Sequence, residues 1–144
     1  MAAYQNLEHF LSAQADVWPH AVAELQAGRK KSHWMWFVFP QLAGLGHSAM
    51  SQRYAIQSAA QAKAYLDHPV LGQRLRQAAF LLLSVEGKSA NEIFGTPDDL
   101  KLRSCMTLFS EVSPAEKVFD EVLKRFFDDC KDERTRQLLR SAGG

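Results

Sequence analysis

The sequence predicts an all-α domain of seven to eight helices spanning residues 1–144. Three observations carry that expectation. Helix-start and helix-stop residues recur along the chain. Apolar residues repeat at the helical period. Strand signals are almost absent: there is no two-residue hairpin turn and no alternating Val/Ile/Thr run. Apolar residues make up 47% of the chain and charged residues 23%, an ordinary globular composition. A chain of 144 residues is long enough to bury a core without disulfides or metals.

In chain order, Pro19 is expected to open a helix and Gly28 to stop one. "WMWFVF" is too short for periodicity to separate a buried strand from a buried helix. A lone strand would leave its backbone groups unpaired, so the segment reads as a short helix stopped by Pro40. Ser48 or Ser51 is placed to cap the helix carrying Tyr54. Ser58 with Gln61, and Ser89 with Glu92, fit the capping box, in which hydroxyl and carboxylate or carboxamide satisfy the free N–H groups of a first turn. Pro69 opens another helix. Thr96-Pro97-Asp98-Asp99 and Ser113-Pro114-x-Glu116 place proline at the first helical position, where its missing N–H costs nothing. The acids suit the positive end of the helix dipole. Gly87 reads as a stop.

The stripes agree with this punctuation. Leu71, Leu75, Ala78, Ala79 and Leu82 form one. Phe80, Leu81 and Leu83 make that helix apolar nearly all round, which predicts a central position. Leu102, Cys105, Met106 and Phe109 form a second stripe. Val118, Phe119, Val122, Leu123, Phe126 and Phe127 form a third.

Several function classes are disfavoured at once. Net charge is +1 and is balanced along the chain, which argues against nucleic acid as a partner. No apolar run approaches the about 18 residues of a membrane span. The N-terminus lacks a basic region followed by an apolar stretch, so no secretory signal is expected. Cys105 and Cys130 form no framework, consistent with idle thiols in a reducing cytoplasm. No two of the five histidines stand at i,i+3 or i,i+4, so no metal site is expected. No nucleophile elbow appears, and no cofactor is indicated. "GLGHSA" mimics a dinucleotide fingerprint, but that motif works only after a strand within a βαβ unit, which is missing here.

What remains are polar groups around an aromatic segment. Arg29, Lys30 and Lys31 precede it; they suit either a solvated helix end or an anion clamp. His33, Trp34 and Trp36 fit a core face, a stacking wall, or both. Gly44 and Gly46 form a loop before Ser48 and Ser51, which reads either as a plain loop before a capped helix or as a cradle for an anion. Asp98, Lys101 and Ser104 fall on one helical stripe, as a surface ion pair or as a polar trio facing a pocket.

"GRKKSHWMWFVFPQLAGLGHSAMSQRYAI", "AYLDHPVLGQRL" and "IFGTPDDLKLRSCMTLF" together resemble the bacterial family known as domain of unknown function 1810. The similarity spans nearly the whole chain. It implies a compact all-α fold with armadillo-like helix stacking, and no activity. Its pattern falls on His33, Trp34, Trp36, Pro40, Gln41, Gly44, Gly46, Ser48, Ser51, Tyr54, Pro69, Gly72, Asp98, Lys101, Ser104, Met106 and Thr107. It also implies a glycine in the turn before the last helix, where this chain reads "FFDDCKDERT". Some members carry the label calpastatin, which suits a disordered inhibitor and not a chain with caps and a full apolar complement. The helical plan is also similar to an N-glycosidase-like family linked with ADP-ribose and riboflavin intermediates.

The expectation is therefore a small-molecule site for an anionic, nucleotide-like or ADP-ribose-like ligand, with hydrolysis as one outcome. Its ligand-binding residues would be Arg29, His33, Trp34, Trp36, Ser48, Ser51, Tyr54 and Ser104. Asp98 would be the general acid/base and Lys101 the electrostatic stabiliser. The alternative is a helical protein–protein interaction module without catalysis.

Overall fold

Two helices, Leu71–Leu83 and Asp98–Val112, organise the molecule, and the other elements pack around them. The computed structural model describes residues 7–141; the first six and last three residues of the expected 1–144 domain lie outside the described residues. Nine helices occur among the described residues: α1 (Glu8–Ala27), α2 (Met35–Val38), α3 (Ala49–Arg53), α4 (Ala59–Asp67), α5 (Leu71–Leu83), α6 (Ala90–Phe94), α7 (Asp98–Val112), α8 (Lys117–Phe127) and α9 (Glu133–Ser141). The fold is all-α, with slightly more helices than expected because α2, α3 and α6 are single turns. Helix α5 touches α1, α2, α4 and α8, and α7 touches α4, α6, α8 and α9.

The caps read from sequence are largely present. Ser58 accepts from the Gln61 N–H, and Ser89 with Glu92 completes a capping box. Gly28 ends α1 at φ 73°, the left-handed conformation that glycine adopts without strain. Ser48 caps α3 through the Ser51 N–H, and Tyr54 closes that turn.

Four boundaries differ from expectation. Pro19 lies inside α1 and does not open it. Pro19 and Ala15 are both exposed, so the Ala15 carbonyl, deprived of its donor, lies on a solvent face. Helix α5 ends at Leu83, before Gly87, which sits in the following loop. Pro97 is the N-cap of α7 rather than its first residue, after a cis Thr96–Pro97 peptide. Pro114 lies a turn before α8, whose N-cap is Glu116.

The α7 stripe is buried as read, with Leu102, Cys105, Met106 and Phe109 fully enclosed; in α8, Phe119, Val122 and Leu123 are enclosed, while Val118, Phe126 and Phe127 are only partly buried against the core. Helix α5 is central, but Phe80 on its outer face is 65% exposed. In the turn before α9, Asp128 and Asp129 take positive φ, 53° and 63°. Aspartate tolerates that region better than most residues, so it fills the place where the family resemblance implies glycine. "WMWFVF" forms the single turn α2, and the chain after Pro40 makes one isolated parallel bridge, Leu42 to Ile56. Among the described residues, no helix is long and apolar enough to cross a membrane.

Candidate functional site

The site is built around Trp36, where two groups of residues meet. The first group begins at Gly28, whose left-handed turn redirects the chain out of α1. Lys30 N–H then donates to the Ile93 carbonyl at 2.8 Å, which fixes the Lys30 backbone beside α6 and the start of α7. From there Lys30 Nζ reaches Asp98 Oδ2 at 2.9 Å, and Lys101 Nζ reaches Asp98 Oδ1 at 3.3 Å. Each ammonium also lies over an indole: Lys30 over Trp34 at 5.3 Å and Lys101 over Trp36 at 4.6 Å. Cation–π contacts of this kind strengthen as water is excluded, and the Lys30 side chain is only 9% exposed. Two cations share one carboxylate, so the triad carries a net positive charge next to an aromatic wall.

Glu24 holds this wall in place. Its Oε1 accepts from Lys31 N–H (2.7 Å), Ser32 N–H (3.0 Å) and the Trp34 indole N–H (2.9 Å), while Oε2 accepts from the Ser32 hydroxyl at 2.6 Å. Burial raises the carboxyl's pKa, but the donors from Ser32, Lys31 and Trp34 outweigh it and hold the group at about 2. Trp34 is fully buried, and Glu24 is what satisfies its one polar atom.

The second group surrounds a cavity of about 160 Å³ beside Trp36. The Leu42–Ile56 bridge builds one wall, closed by Ile56 N–H to the Gln41 carbonyl and Ala43 N–H to the Ile56 carbonyl, both 2.8 Å. Leu42 and Ile56 point into the core. Extended chain alternates its side chains, so Gln41, Ala43, Ala55 and Gln57 face the other way and line the cavity. The Gly44–Gly46 loop, Ser51, Gln52 and Tyr54 complete it. Gly44 sits at φ 101°, and a Cβ on Gly46 would lie 2.6 Å from Ser51 Oγ, so both glycines are required by this loop geometry. Tyr54 stacks on His9 with ring centroids 5.7 Å apart and packs on Phe37. Burial lowers the His9 pKa and the Arg53 charge lowers it further.

Of the residues singled out from sequence, Trp34, Trp36, Asp98 and Lys101 come together, and Trp36, Ser51 and Tyr54 share the cavity. Ser48 is one step removed, bonded to Ser51 at 3.0 Å. Arg29 and His33 are exposed and join neither group through a side-chain contact among the described residues. Ser104 turns away: its hydroxyl lies 2.9 Å from Asp132 Oδ2, the nearer acceptor for its one proton, and 3.2 Å from the Leu100 carbonyl. Six residues of helix rotate a side chain by about 120°, enough to carry Ser104 off the face of Asp98 and toward the start of α9. Glu24, Gln52 and Gln57 were not among the sequence candidates, and Gln41 was marked only by the family pattern, with no role assigned. Lys30 was visible only as one cation in a run of three.

A family model described as "Protein of unknown function (DUF1810)" matches residues 4–139. The chain belongs to the DUF1810 family. No curated protein matches it. The DUF1810 chain is similar to the crystal structure of a conserved hypothetical protein from Mycobacterium tuberculosis, at 50% identity over 94% of this chain and 96% of that one, with a TM-score of 0.93. The family therefore carries the fold and brings no activity with it, and function has to be argued from the site itself.

Proposed function

We propose that this DUF1810 chain binds a small anionic ligand against Trp36, with the Lys30–Asp98–Lys101 triad supplying the charge. The observation that carries this reading is that Trp36 borders both groups: Lys101 lies over its ring, and the same indole lines the cavity. A positive, partly desolvated triad beside a concave aromatic wall is suited to a charged group attached to a planar one. The anionic, nucleotide-like or ADP-ribose-like ligand suggested by the sequence fits that description.

In a hydrolase version of this reading, Asp98 would activate water and Lys101 would stabilise developing charge. Both Asp98 oxygens are engaged by ammonium groups, which supports a positioning role for Asp98 more than proton transfer.

The test is a thermal-shift screen of nucleotides, sugar phosphates and ADP-ribose, because a ligand that binds only the native state raises Tm by mass action. A stabilising ligand should lose its effect in Lys101→Met and in Trp36→Ala. No shift with any of these at millimolar concentration would refute the proposal. The interaction-module reading rests on Phe80 and Leu100, which are 65% and 54% exposed. It gains ground if the screen is blank and a Phe80→Ser, Leu100→Ser chain loses a protein partner that the wild type retains.

A further inference from the structure

We infer that the cavity beside Trp36 reads a six-membered ring bearing an amide or lactam edge, as in a pyrimidine or a pyridine carboxamide. This deepens the anion-site reading above and rests on it. The cavity lining carries no formal charge, so it does not itself hold the anion, which is left to the triad beyond Trp36. Its polar character comes chiefly from three carboxamides, Gln41, Gln52 and Gln57.

These three are not equivalent. Gln52 spends its amide N–H on the His47 carbonyl at 3.1 Å, and Gln57 spends one on the Ala55 carbonyl at 3.3 Å. Each is thereby oriented, and each keeps its oxygen as an acceptor. The Gln41 carboxamide makes no hydrogen bond among the described residues, although its backbone carbonyl is fixed by Ile56 N–H. A carboxamide pairs with a lactam or primary amide edge through one donor and one acceptor side by side, and Gln41 offers both. Trp36 lines the cavity, and its indole is the aromatic group against which the ring would pack. An enclosed cavity of about 150 Å³ accommodates benzene; this one opens to solvent and measures about 160 Å³, so a six-membered ring fits within it.

The experiment is titration calorimetry of the wild-type chain with uridine 5′-monophosphate, nicotinamide mononucleotide and phenyl phosphate. At least one of the first two should bind about tenfold or more tighter than phenyl phosphate, which has the ring and the anion but no amide edge. Gln41→Leu should bring that ligand down to the level of phenyl phosphate while leaving phenyl phosphate unchanged. Gln41→Glu, which keeps the shape but loses the donor and adds a charge that disfavours every phosphate ligand, should also abolish the preference for the amide-bearing ligand, with circular dichroism showing both variants folded. If phenyl phosphate binds as tightly as the amide-bearing ligands, or Gln41→Leu leaves selectivity intact, the ring assignment is wrong and the anion site stands. If none of the three binds, the ring assignment falls, and the anion site falls with it only when the sugar phosphates and ADP-ribose of the wider screen give no shift either.

Discussion

Replacing Glu24 isolates the contribution of one carboxylate to the aromatic wall. Its pKa falls from 4.5 to about 2, a depressed value. The stability it contributes is therefore complete above pH 4.5 and is lost as pH falls through about 2. One pKa unit corresponds to about 1.4 kcal/mol, which bounds the effect at about 3 kcal/mol. Solvent screening at this partly exposed position reduces it to about 1–2 kcal/mol. Glu24→Gln keeps an acceptor for Lys31, Ser32 and Trp34 but removes the charge, so it should cost about 1–2 kcal/mol at pH 7. Glu24→Ala also strands the indole N–H of the fully buried Trp34, adding about 1–3 kcal/mol for an unsatisfied buried donor. Urea unfolding at pH 7 and at pH 3 measures both. The wild type should lose more stability than Glu24→Gln between the two pH values, because other carboxylates titrate equally in both proteins. An Ala variant within about 0.5 kcal/mol of wild type at pH 7, or a Gln variant with an undiminished acid response, would refute the reasoning.

Asp98→Asn should destabilise the fold more than Lys30→Met, because it leaves the nearly buried Lys30 without its counter-charge, whereas removing Lys30 leaves Asp98 paired with Lys101; chemical denaturation of both variants checks the order. Gly72→Ala should cost at least about 3 kcal/mol or abolish folding, since its Cβ would lie 1.9 Å from the Leu66 carbonyl oxygen; soluble yield and Tm report it. Asp132→Ala should cost about 1–2 kcal/mol by removing the acceptor for Ser104 and for the Thr135 N–H, and hydrogen exchange should show the loss concentrated in α9. Gly46→Ala should distort the cavity by collision with Ser51, seen as weakened binding of any ligand that stabilises the wild type, with little change in urea midpoint.

The helices were legible because what starts, stops and orients a helix lies within a few residues. Ser58 finds the Gln61 N–H three positions on, and the α7 and α8 stripes need only the helical period. Family membership was legible for a related reason, since "GRKKSHWMWFVFPQLAGLGHS" is long and continuous. Proline was the weak signal. Pro19 reads as a start by its local preference, and only the solvent beside Ala15 lets α1 run through it.

An all-α fold, most of its caps and much of the buried stripes are written in the chain, together with a suspected site of Arg29, His33, Trp34, Trp36, Ser48, Ser51, Tyr54, Asp98, Lys101 and Ser104, of which Arg29, His33 and Ser104 do not join the others. The tertiary structure decided which polar groups meet. Lys30 and Asp98 are 68 positions apart, and they pair because Lys30 is anchored on Ile93. Gln41 and Gln57 face one cavity because a single bridge sends Leu42 and Ile56 into the core. Ser104 left the site through a helical rotation, and Glu24 entered it through a turn that glycine alone adopts freely. Local propensity acts over a few residues and is written in the chain; electrostatic and hydrogen-bonding partners are chosen by proximity in space, which exists only after the core has closed.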